Sequence, residues 1–232
     1  LQVTNGCSWN RCSFCEMYTA EQKAFRAKAQ AEVEADLALL GALRAMEASS
    51  ASRPLPPPRV FLADGDAMTL PVKRLREILL QVKATFPDVS RVSSYCLPRN
   101  LRAKSVSDLA GLRELGLRTL YVGCESGDDE VLRRVGKGET QETSLEALKK
   151  IRAAGLKASV MILHGLGGRR LSKQHARSSA ELINEAQPDF LSTLVVSFPL
   201  GSERHAAEFA DLGPASAAAA DDDDGRRPPP PS

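Results

Sequence analysis

The chain lacks any apolar run of the roughly 20 residues that a bilayer-spanning helix requires, so a soluble protein is expected from its 232 residues. It also lacks a charge excess. With 31 basic and 29 acidic residues the formal net charge is +2, so there is no general basic field and nucleic-acid binding is not indicated. A secreted disulfide framework is missing too: five cysteines are an odd number in a long chain, and thiols clustered as they are here fit a reducing, intracellular setting. The sequence opens at Leu1 without a methionine, so a missing signal segment leaves cytoplasm and organelle undistinguished.

What is present is a chain with 43% hydrophobic residues, enough for one large domain. Short branched runs alternate with amphipathic stretches. Residues 60–63, 91–95, 119–122, 158–163 and 190–196 read as strands, with Leu1 to Thr4 as the end of a first one. Val72, Leu75, Ile78, Leu79, Val82 and Phe86 form a helical stripe after Pro71. Ser105 to Asp108 is a capping box before Leu109, Leu112 and Leu115, with Gly116 as the stop, and Ser126 with Asp129 repeats that pattern. Leu145, Leu148 and Ile151 line the next helix, which Gly155 closes. Six strand-helix units result, the mark of parallel β-α-β construction. On this pattern alone a doubly wound sheet competes with a barrel.

Parallel β/α folds gather their chemistry beyond the carboxyl ends of the strands. The unusual segments all fall there: the cysteine loop after the first strand, Asp64 to Met68 after the second, Tyr95 to Leu97 after the third, Gly123 to Gly127 after the fourth, His164 to Gly168 after the fifth and Pro199 to Gly201 after the sixth. The proline-rich stretch from Ser49 to Arg59 belongs to the opposite face and reads as a spacer. From about Arg204 the alanine run, Asp221 to Asp224 and Pro228 to Pro231 have little to bury, so residues 204–232 are expected to form a disordered tail behind a core domain of residues 1–203.

Cys7, Cys12 and Cys15 lie within nine residues, close enough to serve one metal centre. Four cysteines are the usual ligand set of an iron-sulfur cluster, so three suggest a 4Fe-4S cluster with one iron left for a non-protein ligand. Zinc is the alternative, with His164, Cys96 or Cys124 completing a tetrahedron. Zinc sites more often pair their ligands in separated knuckles, which favours the cluster. The other rim residues have plain structural readings as well. Asp66 can cap a helix, Glu125 can be an early-turn charge, glycines 165, 167 and 168 can form a strand-to-helix turn, and Cys96 and Cys124 can be buried thiols.

The loop Gly6-Cys7-Ser8-Trp9-Asn10-Arg11-Cys12-Ser13-Phe14-Cys15 resembles the cluster loop of radical S-adenosylmethionine enzymes. Its C-x4-C-x2-C spacing exceeds the commonest C-x3-C-x2-C by one residue and is similar to a branch with G-C-x-x-N-x-C-x-F-C, as are Met17 and Tyr18. Asp64 to Pro71 resembles that family's Gly-Gly-Glu motif, with Asp66 nearest to the glutamate. Gly123 to Leu132 with Lys137 and Gly138 is similar to the segment whose glutamate meets the ribose, and Leu163 to Gly168 resembles the strand end lying against adenine. The resemblance implies a partial (β/α)6 TIM-type barrel, a 4Fe-4S cluster on Cys7, Cys12 and Cys15, and S-adenosyl-L-methionine held by Phe14, Gly65, Asp66 and Glu125, with Ser94, Lys137 and Gly165 as further candidates.

It also implies reductive cleavage of S-adenosylmethionine to a 5'-deoxyadenosyl radical acting on an unknown substrate, and an electron donor such as a flavodoxin or ferredoxin. A residue that exchanges hydrogen with the substrate has no sequence signature here. No RNA-binding domain that would suit tRNA methylthiolation is visible, nor a cobalamin-binding segment. The rival expectation is a non-enzymatic zinc or iron-sulfur binding module on a degenerate barrel.

Overall fold

The computed structural model describes residues 1–18 and 24–213. Five strands form one parallel sheet: β3 (Arg59–Leu62), β4 (Arg91–Cys96), β5 (Leu117–Glu125), β6 (Lys157–His164) and β7 (Phe190–Val195), paired in that order. Upstream, β1 (Thr4–Asn5) and β2 (Arg26–Ala27) make a small antiparallel pair. Leu1 to Thr4 also supplies a sixth strand position beside β3. Gln2 bridges Ala63 in parallel, Ala63 N donates to the Leu1 carbonyl at 2.9 Å and Asp64 N to the Thr4 carbonyl at 3.3 Å.

Strand order settles the question left open by the sequence. A doubly wound sheet reverses its order at a switch point, whereas this sheet runs from the N-terminal segment to β7 without a reversal. The fold is therefore a partial β/α barrel, and among the described residues no pairing joins β7 back to the first strand.

The connecting helices are α1 (Gln30–Ser50), α2 (Val72–Thr85), α3 (Val106–Glu114), α4 (Asp129–Arg134), α5 (Gln141–Ala153) and α6 (Ser172–Ala186). Their apolar stripes meet the outward residues of the strands. Leu75, Ile78, Leu79 and Val82 of α2, Leu109 and Leu112 of α3 and Leu148 and Ile151 of α5 are buried with Leu62, Val92, Leu120, Val122, Val160 and Ile162. Two-residue periodicity then turns Tyr121, Gly123 and Met161 to the opposite, inner face. Ser105 caps α3 in a reciprocal box with Asp108, as the sequence predicts.

At α4 the cap differs from the expected one. Asp128, and not Ser126, receives the Val131 N–H at 2.9 Å. Ser126 is buried and binds His175 Nδ1 of α6 at 2.7 Å, while Gly127 N donates to Ser179 Oγ at 2.9 Å. These contacts fix the loop that follows β5 against α6, directly behind the rim residue Glu125.

The chain from Arg204 also departs from expectation. Helix α7 (Glu203–Ala207) and a 3-10 turn at Ala210–Leu212 are formed, His205 is buried against Phe198 and Phe209, and Arg134 makes a two-pronged ion pair with Asp211 at 2.6 and 2.9 Å. Composition missed this because the anchors are a few aromatic and charged residues set among alanines. The remainder of the expected tail, 214–232, lies outside the described residues.

A Cβ at Gly127 would overlap the Ser178 carbonyl, whereas one at Gly168 would meet nothing within 4 Å. Gly127→Ala should therefore destabilise the fold by about 1–3 kcal/mol through overpacking, seen as a lower urea midpoint at unchanged slope. Gly168→Ala should show only the cost of its left-handed backbone, about 1–2 kcal/mol, with no disturbance of the β5 loop.

Burial holds the His175 imidazole below the ordinary histidine range. Its neutral form is the one the fold stabilises, so below pH about 6.5 the unfolded chain takes up the proton more readily. That share of stability is complete above pH about 6.5 and is lost as pH falls below it. Thermal melts from pH 7.5 to 5 should show the loss, and His175→Gln should flatten part of the slope.

Candidate functional site

A short loop can bring three thiols together only if something outside it fixes its path. Asp66, buried below the loop, accepts the Ser8 backbone N–H at 3.3 Å and also binds the Ser8 hydroxyl. Trp9 Nε1 donates to the Gly136 carbonyl at 2.7 Å, and Ser13 N to the Val135 carbonyl at 2.9 Å. Arg204 of α7 reaches the carbonyls of Cys12 at 2.5 Å and Cys15 at 3.3 Å. Contacts from three separate parts of the fold thus hold the loop.

So held, Cys7, Cys12 and Cys15 are free thiols of intermediate exposure. All three line one cavity of about 280 Å³. Phe14, Gly65, Glu125 and Lys137 line the same cavity, together with Tyr18, Tyr95, Tyr121 and Met161. Seven of the ten residues singled out from the sequence are thereby brought to one space. Gly65 is pressed against the Tyr18 ring, where a Cβ would lie only 2.7 Å from the ring edge. Tyr18 OH in turn donates to Asp64 at 2.6 Å.

Three residues lie elsewhere. Asp66 supports the loop from beneath. The Ser94 side chain is buried, with its hydroxyl on the Tyr95 and Leu62 carbonyls at 2.9 and 3.4 Å. Its period-two neighbour Tyr95 is the one that faces the cavity, and this alternation is the signal that separates the two. Gly165, at φ 84°, turns the chain beside Val196, away from the cavity lining. His164 is exposed at the end of β6. Cys124 is buried behind β5; Cys96 is buried too but touches the cavity edge.

Glu125 owes its direction to an irregularity. The β5–β6 register shifts between Gly123 and Glu125, and Glu125 adopts φ 65°. A bulge of this kind re-aims a side chain at a strand end. Its carboxylate meets Lys137 Nζ at 3.0 Å, with both side chains largely buried. The expected early-turn role does not fit, because α4 starts only at Asp129 and is capped by Asp128.

Burial alone would lower the Lys137 ammonium. The Glu125 carboxylate and Cys12 outweigh it and keep the group above the ordinary lysine value. Burial pushes the Cys12 thiol up to about 11, with Lys137 opposing, and the Cys124 thiol up to about 12.

Among the described residues no three His, Cys, Asp or Glu side chains are grouped tightly enough for one metal ion. Three thiols lining one cavity are donors of the chemical type that holds an iron-sulfur cluster. Among the described residues no helix is long and apolar enough to cross a membrane.

The chain is 27% identical over 161 residues to an uncharacterized methyltransferase of Pyrococcus horikoshii, which covers 68% of this chain and 31% of the relative. It is 28% identical over 170 residues to 4'-phospho-dehydrooxetanocin synthase of Priestia megaterium, covering 67% and 22%. The chain thus spans about a third or less of the length of these curated relatives.

Among solved structures, the cobalamin-dependent S-adenosylmethionine radical enzyme OxsB with aqua-cobalamin bound superposes with a TM-score of 0.61 at 18% identity, over 91% of this chain and 29% of that one. Coproporphyrinogen III oxidase (HemN) from Escherichia coli gives 0.60 at 19%, over 84% and 43%. At such identities the likeness is one of fold. The sequence model of the Radical SAM superfamily matches residues 1–183, and the chain belongs to that superfamily.

Proposed function

We propose that this chain is the core of a radical S-adenosylmethionine enzyme of unknown substrate, with Cys7, Cys12 and Cys15 as the protein ligands of a 4Fe-4S cluster. The observation that carries the reading is that these thiols and the Glu125–Lys137 pair face one cavity. When bound, the cluster would supply one electron to S-adenosylmethionine, releasing methionine and a 5'-deoxyadenosyl radical, chemistry that belongs to the cofactors. A small electron-transfer protein of the flavodoxin or ferredoxin type would deliver that electron.

The chain's own residues would bind, orient and shield. Glu125 lies at the rim with one carboxylate oxygen on Lys137, which leaves the other to accept from the ribose hydroxyls of S-adenosylmethionine. Lys137 holds that carboxylate in place. Phe14 and the Tyr18 ring over Gly65 wall the cavity near the cysteines, which favours a flat or apolar part of the cofactor and limits water. Asp66 acts through Ser8 as a positioning residue for the loop, not as a direct contact. Tyr95, Tyr121 and Met161 form the inner wall on the sheet side, where a substrate would sit against the radical.

Anaerobic reconstitution should load about four irons per chain, and Cys7→Ala, Cys12→Ala or Cys15→Ala should each abolish stable loading. The loaded protein with dithionite and S-adenosylmethionine should slowly yield 5'-deoxyadenosine. Stoichiometric zinc without iron would point instead to the binding-module reading, and a reducible cluster that yields no cleavage product would argue against the enzyme.

Glu125→Gln should raise the dissociation constant for S-adenosylmethionine by about 10- to 150-fold, the equivalent of one charged hydrogen bond of about 1.5–3 kcal/mol, at unchanged iron content. Glu125→Ala is the harsher change, since it leaves the Lys137 ammonium buried without a partner and should also cost about 3–5 kcal/mol of stability. Calorimetric titration of the Gln variant tests the assignment, and an unaltered affinity would remove Glu125 from the site.

A further inference from the structure

Side chains alternate along a strand, so the register of the sheet tells which of them share its inner face. Tyr95 of β4 stands opposite Tyr121 of β5, and Met161 of β6 stands opposite Gly123. All four line the cavity that the cysteines face. Tyr95 is 45% exposed, so nearly half of a large aromatic residue is left uncovered on the inside of the sheet.

Two features of this wall bear on what would cover it. The first is charge. Apart from the cysteines, Glu125 and Lys137 are the only ionisable groups lining the cavity with a charge at neutral pH, and they pair with each other at 3.0 Å. A phosphate or carboxylate against the wall would find no free cation, and burying an ion without a partner is costly. The second is hydrogen bonding. Neither the Tyr95 nor the Tyr121 hydroxyl bonds to another described residue, although a buried tyrosine usually finds a partner for its O–H. An aliphatic occupant would desolvate both hydroxyls and satisfy neither.

Shape and depth complete the picture. The Tyr95 and Tyr121 rings meet at 71° with centroids 6.3 Å apart, and Phe61 packs on both at 4.8 and 5.6 Å. A flat ring can lie against such a surface edge-to-face or offset-stacked. The wall is also set back from Glu125. Tyr121 precedes it by four residues of β5, about 10–13 Å of strand, and the inner-face position between them is Gly123, which has no side chain to fill the space.

We propose that the Tyr95–Tyr121 wall binds the substrate, and that the part of the substrate it holds is an uncharged aromatic or heteroaromatic ring bearing a hydrogen-bonding group. The inference rests on the function proposed above, in which Glu125 takes S-adenosylmethionine at the rim and leaves the deeper wall free. Tyr95 and Tyr121 are then specificity-determining residues. Their rings select a flat shape, their hydroxyls meet its polar edge, and the lack of a free cation turns anions away.

The test uses oxidised, iron-loaded protein saturated with S-adenosylmethionine, which is not cleaved without a reductant. Calorimetry compares four small probes: indole, cyclohexanol, phenyl phosphate and phenyltrimethylammonium. Indole should bind once per chain, and the other three should bind at least about fivefold more weakly. Tyr95→Phe/Tyr121→Phe keeps both rings and should weaken indole by about 2- to 10-fold through the lost hydroxyls. Tyr121→Leu should weaken it at least as much, and should the Leu variant fail to fold, the Phe pair decides. Iron content and affinity for S-adenosylmethionine should stay at wild-type values in the Phe pair.

Absence of indole binding, equal binding of all four probes, or an indole site indifferent to the tyrosines would overturn the substrate class, while iron loading and S-adenosylmethionine cleavage left the proposed function intact. Displacement of indole by S-adenosylmethionine would overturn it too, because the wall would then belong to the cofactor. Preference for phenyltrimethylammonium would reassign the wall to a cation held over ring faces, and preference for phenyl phosphate would reassign it to an anion. Failure to load iron would sink the proposed function and this inference with it.

Discussion

The constraint on which the site depends is that a nine-residue loop cannot satisfy its own backbone. A helix or strand pairs its N–H and C=O groups internally or with a neighbour. The loop from Cys7 to Cys15 has one internal turn bond, Cys15 N to the Cys12 carbonyl at 3.2 Å. Its other anchors are borrowed: Asp66 after β3, Val135 and Gly136 after α4, and Arg204 in α7. The three thiols can therefore share a cavity only after residues 58 to 192 positions away in sequence have been folded against them.

The same dependence explains why α7 matters to a loop at the far end of the chain. Arg204 contacts two loop carbonyls, while Arg134 ties α4 to Asp211 just beyond α7. The stretch behind α4 is also the one that carries Lys137 inward and Gly136 outward to Trp9. One connection thus serves both sides of the loop: a buried ion pair facing the cavity and an open cleft beside Trp9. A substitution that shifts residues 135–139 is expected to be felt on both.

The inner wall illustrates how a parallel sheet divides labour. Residues turned outward are branched and buried against helices, whereas those turned inward include Tyr95, Tyr121, Gly123 and Met161. Phe61 joins the two tyrosines in a ring cluster, two pairs edge-on and one tilted, with centroids 4.8 to 6.3 Å apart. Edge-to-face pairs of this kind contribute about 0.5–1.5 kcal/mol each beyond their area burial.

How far the sequence went can be judged from particular residues. Spacing and periodicity located the strands, most helix stops and the rim to which Cys7, Cys12, Cys15, Gly65 and Glu125 belong, because these signals are local and repeat along the chain, while Lys137 came only from the family resemblance. Ser94 against Tyr95 required only the period of two, applied to the correct phase of β4. Other features had no local signal. The register shift that aims Glu125, the burial of Asp66 beneath Ser8, the exchange of Ser126 for Asp128 as a cap, and the docking of Arg204 each depend on a partner supplied by another element. Composition and spacing determined which residues stand at the rim. Only the tertiary structure decided which of them face the cavity, because direction is set by pairing register and by contacts between segments that are distant in the chain.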